Sequence, residues 1–223
     1  MDEVNYEKAY QHWSSVTSNV EGMLGGYERL HLPDVNYSKK LLDELTKKKL
    51  LTNFKRALDC GCGIGRITKH LLLPTFTYVD MVDFAETFIE QSNAYISDEG
   101  NSRIENKFVE SLHTFKPEKG HYDLIWIQWV IGQLSDVDLT NFLRRCQKGL
   151  TNNGCIVIKD NVTRQDEERI FDQSDNSWTR PLSELRLLIE NSGLNIVLER
   201  RQLFFPKNIF PVYMFVMKPS DVT

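Results

Sequence analysis

One stretch constrains the fold of this chain more than any other: Arg56-Ala57-Leu58-Asp59-Cys60-Gly61-Cys62-Gly63-Ile64-Gly65-Arg66-Ile67-Thr68. It reads as a short apolar strand that runs into a glycine turn and opens a helix. Glycines at alternate positions let the backbone bend sharply and approach a ligand where side chains would block it. In an open α/β sheet the ligand lies beyond the carboxyl ends of the strands, where strand order reverses, so this turn faces the site. The geometry suits a nucleoside-type cofactor.

The rest of the chain alternates around that turn. Helices are expected at Tyr6–Trp13 and Tyr37–Lys49, then strands at Phe54–Asp59, Thr77–Asp83, Asn106–Val109, Tyr122–Gln128 and Cys155–Lys159. Helices separate them, from Gly65, over Ala85–Ile96 and over Asp136–Gly149, and another follows at Pro181–Asn191. Strands joined through helices pair in parallel with right-handed crossovers. The last two, Leu194–Arg200 and Val212–Met217, have no helix between them and form a hairpin that inserts one antiparallel strand. The expectation is an α/β fold with a mostly parallel seven-stranded sheet over residues 54–223, and a helical extension over residues 1–53 as a lid.

At 223 residues the chain buries a sizeable core. A net charge of −4 argues against a phosphate-binding surface, so nucleic acid is not expected as a partner. The first residues are acidic and lack an apolar core, and the longest apolar run, Leu124–Leu134, is too short to span a bilayer, so no leader and no membrane partner are expected. Cys60, Cys62, Cys146 and Cys155 read as reduced thiols, and Cys60-x-Cys62 lacks a second pair for zinc, so no metal is assigned.

A dinucleotide fingerprint requires Gly-x-Gly-x-x-Gly, but Arg66 stands where its third glycine belongs, which disfavours NAD and FAD. The stretch instead resembles the Asp-x-Gly-x-Gly-x-Gly turn of Rossmann-like class I S-adenosylmethionine methyltransferases. Asp83, ending the second strand, lies where a carboxylate accepts ribose hydroxyls, and Arg66 could hold the cofactor carboxylate as a bidentate partner. After the fourth strand, alternation puts Trp126 in the core with Gln128 on the same face, and leaves Trp129 just past the strand end.

Together with Ile158-Lys159-Asp160-Asn161, Gly22-Met23-Leu24-Gly25-Gly26-Tyr27 and Leu143-Arg144-Arg145-Cys146, these segments resemble the eukaryotic protein α-N-terminal methyltransferases over essentially the whole chain. Those enzymes act on proteins beginning Xaa-Pro-Lys or Xaa-Pro-Arg once the initiator Met is removed. By position, the resemblance implies cofactor contacts at Gly61, Gly63, Arg66, Asp83, Phe84, Ala85, Leu112, His113 and Gln128. It implies a peptide channel at Trp13, Leu24, Trp129, Asn161, Asp172, Asp175 and Phe210, with Asp175, Asn161 and Gln133 at the reacting amine. Nuclear and cytoplasmic residence is implied by the resemblance alone.

The residues depart from the family at Gln133, where a His is usual, at Phe210, where a Tyr is expected, at Pro211, and in Glu110-Ser111-Leu112-His113. Gln cannot accept a proton. Independently, Asp160, Asp166, Glu167, Glu168, Asp172 and Asp175 outnumber Arg164 and Arg169 in one segment and would attract a cationic peptide, though a charge run is more commonly a solvated loop. Two other functions fit the same turn: a small-molecule amine methyltransferase, and a cofactor-binding adaptor whose catalysis has decayed.

Overall fold

The computed structural model describes residues 4–164 and 167–220; Asp166 of the acidic run lies outside them. The chain opens with α1 (Tyr6–Ser15), the short α2 (Val20–Met23) and α3 (His31–Lys47). Helix α3 starts at His31 rather than Tyr37, because Pro33 falls in its first turn, where a missing N–H costs nothing.

Strand β1 (Arg56–Cys60) then leads through the glycine turn into a helix whose last part, Thr68–Leu72, has π-type bonding, with Leu73 N–H donating to Thr68 O at 2.9 Å. Next come β2 (Tyr78–Asp83), α4 (Glu86–Tyr95), the short α5 (Asp98–Asn101), β3 (Ile104–Val109), β4 (Tyr122–Gln128) and α6 (Asp136–Gly149). After them lie β5 (Leu150–Asn161), the hairpin strands β6 (Ile170–Asp172) and β7 (Ser177–Thr179), α7 (Leu182–Asn191), β8 (Leu194–Arg201) and β9 (Val212–Pro219).

The main sheet has seven strands in the order β3-β2-β1-β4-β5-β9-β8, parallel except for β9, which runs antiparallel to both neighbours. Strand order reverses between β1 and β4, so the turn after β1 and the segment after β4 open onto the same edge. The period of two sorts the core. Leu58, Ile125, Ile127 and Ile156 face α6 and α7 through Phe142, Leu143, Leu185 and Ile189, while Ala57, Leu124, Trp126 and Val157 face α3. On α3, Val35, Leu41, Leu42 and Leu45 make the buried stripe at helical spacing.

Residues 1–53 therefore contain two kinds of packing. Helix α3 forms part of one layer of the sheet core. The segment before it lies over the glycine turn, where Trp13, Val16, Val20 and Met23 pack on Ile64, Ala85 and Phe88.

The acidic segment is not simply a loop. Phe171 stacks obliquely on Trp178 across β6 and β7, with ring centroids 4.8 Å apart, so the turn carrying Asp175 and Asn176 is held at the tip of a hairpin.

Candidate active site

Gly61, Gly63 and Gly65 have φ of 68°, 53° and 83°. These left-handed angles make the backbone turn sharply between β1 and the helix. Space also opposes a side chain at Gly61, where a Cβ would lie 2.7 Å from Val130 Cβ; at Gly65 it would crowd the end of Ile96, 2.6 Å from Cδ1. Asp59 fastens the turn from below, its Oδ2 accepting from Thr68 N (3.0 Å) and Thr68 Oγ1 (2.6 Å).

Asp83 fastens it from the side. Its Oδ2 accepts from Gly63 N (2.8 Å) and its Oδ1 from Ala85 N (2.9 Å). Burial pushes its carboxyl up to about 6, and the N–H groups of Ala85 and Gly63 act against that rise.

Gly61, Gly63, Arg66, Asp83, Phe84 and Gln128 line one cavity together with Asp59, Trp129 and Val130. Ala85 supplies its N–H to Asp83 but is not among the lining residues. Leu112 and His113 line an adjoining cavity, which shares Phe84, Val130 and Gln133 with the first. There Tyr6 of α1 stacks on His113 at 4.3 Å between centroids, and its hydroxyl bonds Asp138.

Arg66 is buried, with Nη1 donating to Asp34 Oδ2 at 2.7 Å and its guanidinium 5.5 Å from the Trp129 ring centroid. Gln128 does not offer a free amide: Nε2 donates to both Asp34 oxygens (3.0 and 2.9 Å), and Oε1 accepts from Trp126 Nε1 at 2.9 Å. The glycine cradle, a buried strand-end carboxylate and a buried guanidinium fit a nucleoside cofactor that carries a carboxylate.

A second cavity of about 510 Å³ opens beside the first. Trp13, Leu24, Trp129, Gln133, Asn161, Asp172, Asp175 and Phe210 all line it. Trp13, Met23, Trp129 and Gln133 line both cavities, so they mark the junction between them.

Trp129 has φ 54°, a strained angle for a bulky residue. The strain is held by its N–H on Lys159 O (3.0 Å) and by Asp160, whose Oδ2 accepts from Val130 N (3.1 Å) and Ile131 N (3.2 Å). Asp160 is itself buried, and burial pushes its carboxyl up to about 6.

Asp175 accepts from Ser177 Oγ at 2.7 Å, and burial, reinforced by the charge of Asp172, raises its pKa. Asp172 is set differently: hydrogen bonds from Ser174 Oγ and N hold it below the ordinary carboxylate range. Gln133 takes the amide orientation that its neighbours dictate, Oε1 accepting from Trp13 Nε1 and Nε2 donating to Asp175 O, each at 3.1 Å. It thereby links α1 to the hairpin. A second link lies nearby, where Asn5 N donates to Asn176 Oδ1 at 2.6 Å.

Sequence reasoning missed the lining residues Trp178, Thr179, Leu30 and Ile209, and did not single out Asp34 or Asp59. The Phe171–Trp178 spacing about the acidic turn was the one signal for the hairpin; nothing in spacing linked Asp34 to Arg66.

Comparison with known proteins agrees with this geometry. The family described as AdoMet dependent proline di-methyltransferase matches residues 1–218. Alpha N-terminal protein methyltransferase 1 of Caenorhabditis elegans is 52% identical over 215 residues, covering 96% of this chain and 91% of that protein. N-terminal Xaa-Pro-Lys N-methyltransferase 1 of Homo sapiens is 46% identical over 214 residues, covering 96% of this chain and 95% of that protein. Among solved structures, a SAM-dependent methyltransferase of Leishmania major superposes with a TM-score of 0.89 at 32% identity, covering 96% of this chain and 82% of that one. A phosphoethanolamine N-methyltransferase of Haemonchus contortus, at 18% identity and a TM-score of 0.72, shares the fold alone. With the family matched along nearly its whole length and close relatives about half identical to it, this chain belongs to the AdoMet dependent proline di-methyltransferases and is an S-adenosylmethionine-dependent methyltransferase.

Proposed function

We propose that the protein methylates the α-amine of proteins beginning Xaa-Pro-Lys or Xaa-Pro-Arg after removal of the initiator Met. One observation carries this reading: the cavity that holds Asp172, Asp175 and Asn161 meets the glycine-turn cavity at Trp13, Met23, Trp129 and Gln133. An amine seated among the tryptophans would therefore face the methyl donor. The names of the relatives favour the peptide reading over a small-molecule amine or a decayed adaptor.

When bound, S-adenosylmethionine supplies an electrophilic sulfonium methyl. The protein supplies position and proton handling. Asp175, directly or through a water, takes the proton from the α-ammonium, and burial raises its basicity for that step. A free α-amine has a pKa of roughly 7.7–8.0, so a useful neutral fraction exists near neutral pH and no strong base is required. Gln133 cannot take part in that transfer; it orients Trp13 and the Asp175 segment.

Trp13 and Trp129 flank the amine, and their faces keep attracting the cation as N–H groups are replaced by methyls. Asn161 holds the first residue's carbonyl, Leu24 and Phe210 wall the channel, and Asp172, kept ionised, meets the basic third residue.

The test is mass spectrometry of an Xaa-Pro-Lys peptide incubated with enzyme and S-adenosylmethionine, beside the same peptide acetylated at its N-terminus and a small amine such as phosphoethanolamine. Methylation of the free peptide alone is expected. Turnover of the small amine, or of the acetylated peptide at the same rate, would overturn the assignment. Nuclear and cytoplasmic residence is proposed on family resemblance and is checked by imaging a fluorescent fusion.

A further inference from the structure

Beneath the cofactor cavity lies a buried polar cluster that ties two of its lining side chains to residues with no place in the lining. Its centre is Asp34 on α3, fully buried. Asp34 Oδ2 accepts from Arg66 Nη1 (2.7 Å) and Gln128 Nε2 (2.9 Å), and Oδ1 pairs with Lys159 Nζ at 2.5 Å. Lys159, also fully buried, donates further to Asp34 O (3.1 Å) and Ser38 Oγ (2.9 Å). Burial pushes the Asp34 carboxyl up, but Lys159 and Arg66 more than offset it and hold it below its ordinary range.

A buried ion pair is weak evidence of stabilisation, because desolvating the charges consumes most of what their attraction returns. What the cluster does fix is geometry. Arg66 and Gln128 line the cavity; Asp34 and Lys159 do not. Both lining side chains are long and rotamer-rich, and both are tied to the same carboxylate. Asp34 occupies Arg66 Nη1, and Arg66 borders the cavity with its guanidinium 5.5 Å from the Trp129 ring centroid.

The hydrogen-bonded cluster also sets two cations, Arg66 and Lys159, against one carboxylate. Asp59 lies within the field of Arg66, but its Oδ2 is taken by Thr68 and it makes no hydrogen bond to Arg66. His31, His70 and Tyr95 also lie within that field; the two histidines are held toward the neutral form by burial first and by Arg66 as well, and burial raises Tyr95 against the pull of Arg66.

We propose that Asp34 is the positioning residue of the cofactor site, holding Arg66 and Gln128 so that the site selects ligands by their α-carboxylate. The proposal rests on the S-adenosylmethionine assignment and adds to it a residue from the N-terminal segment. An N-terminal helix and the glycine turn are thus joined through one side chain.

The experiment compares two ligands by isothermal titration calorimetry. S-adenosylhomocysteine carries the amino-acid carboxylate; 5′-methylthioadenosine keeps the adenosine and thioether but lacks it. Asp34→Asn should weaken S-adenosylhomocysteine by on the order of 10–100-fold, the scale of a lost charge-assisted contact, while 5′-methylthioadenosine changes by less than about 3-fold. Because Asp34→Asn leaves two cations facing a neutral amide, the double variant Asp34→Asn/Lys159→Met removes one charge of each sign and should give the same differential. Equal loss for both ligands, or no loss for either, overturns the proposal alone. Failure of the parent protein to bind S-adenosylhomocysteine would overturn the cofactor assignment and the proposal with it.

Discussion

Replacing glycines one at a time separates two costs that the turn combines. Gly25 has φ 54°, and a Cβ added there meets nothing within 4 Å. Gly25→Ala therefore carries only the left-handed backbone cost, roughly 1–2 kcal/mol. Gly61 has φ 68°, and its Cβ would lie 2.7 Å from Val130 Cβ and Cγ2. Val130 is β-branched, so it has few alternative rotamers, and its N–H is held by Asp160. Overpacking there adds about 1–3 kcal/mol, for a total of about 2–5 kcal/mol. In a chain of this size each kcal/mol lowers Tm by about 2–4 °C, so Gly25→Ala should lose about 2–8 °C and Gly61→Ala about 4–20 °C.

Gly63→Ala is the informative third member. Its Cβ would lie 2.4 Å from Met23 Sδ, the far end of a flexible side chain that can move aside. Its stability cost should stay near that of Gly25→Ala while the ligand space changes. Scanning calorimetry of ligand-free protein, followed by titration with S-adenosylhomocysteine, reads both effects. Affinity should drop for Gly61→Ala and Gly63→Ala and hold for Gly25→Ala. The reasoning is refuted if Gly61→Ala costs no more than Gly25→Ala, or if the Gly61 and Gly63 variants bind the ligand like the parent.

Three further outcomes are expected. Asp175→Asn should lower turnover of an Xaa-Pro-Lys peptide by about 10²–10⁴-fold with S-adenosylhomocysteine binding unchanged; parental turnover would remove Asp175 from the proton path. Gln133→His should alter the pH–rate profile by placing a titrating group between Trp13 and the Asp175 segment, and an identical profile would show that this position is outside the proton path. Asp83, pushed up to about 6 by burial against roughly 3.9 when unfolded, contributes stability that is present at low pH and lost as pH rises through about 6. In urea unfolding of ligand-free protein, the parent's stability relative to Asp83→Asn should fall by about 1 kcal/mol from pH 5 to pH 7. Referencing to that variant separates Asp83 from His70, which burial pulls down to about 4 and which acts with the opposite sign; a flat or rising difference would refute the reading.

Much of the architecture was legible in one dimension because its causes are local. Strand period, helix spacing and glycine φ are set by neighbouring residues, so the seven strands, the antiparallel insertion and the turn at Gly61–Gly65 could all be read in order. Even Trp126 in the core and Trp129 past the strand follow from alternation along β4. The bounds of α3 and β5 shifted because Pro33 is tolerated in a first helical turn and because β5 gains a pair with β4 at Leu150 and pairs with β9 at Asp160 and Asn161.

What only the tertiary structure decided involves partners far apart in the chain. Arg66 meets Asp34 across 32 residues and Gln128 meets it across 94, and no spacing rule connects them. Gln128 stands in the sequence reading as a cofactor contact, yet Asp34 and Trp126 take its donor and acceptor. Gln133 reads as the loss of a base, and in three dimensions it is a latch between Trp13 and the Asp175 segment. By itself, the sequence determined which residues could bend, bury or carry charge, since those properties belong to single residues and their neighbours. Which of them meet was decided by the packing of α1, α3 and the hairpin onto the sheet edge, because desolvated polar groups must find partners wherever the fold brings them.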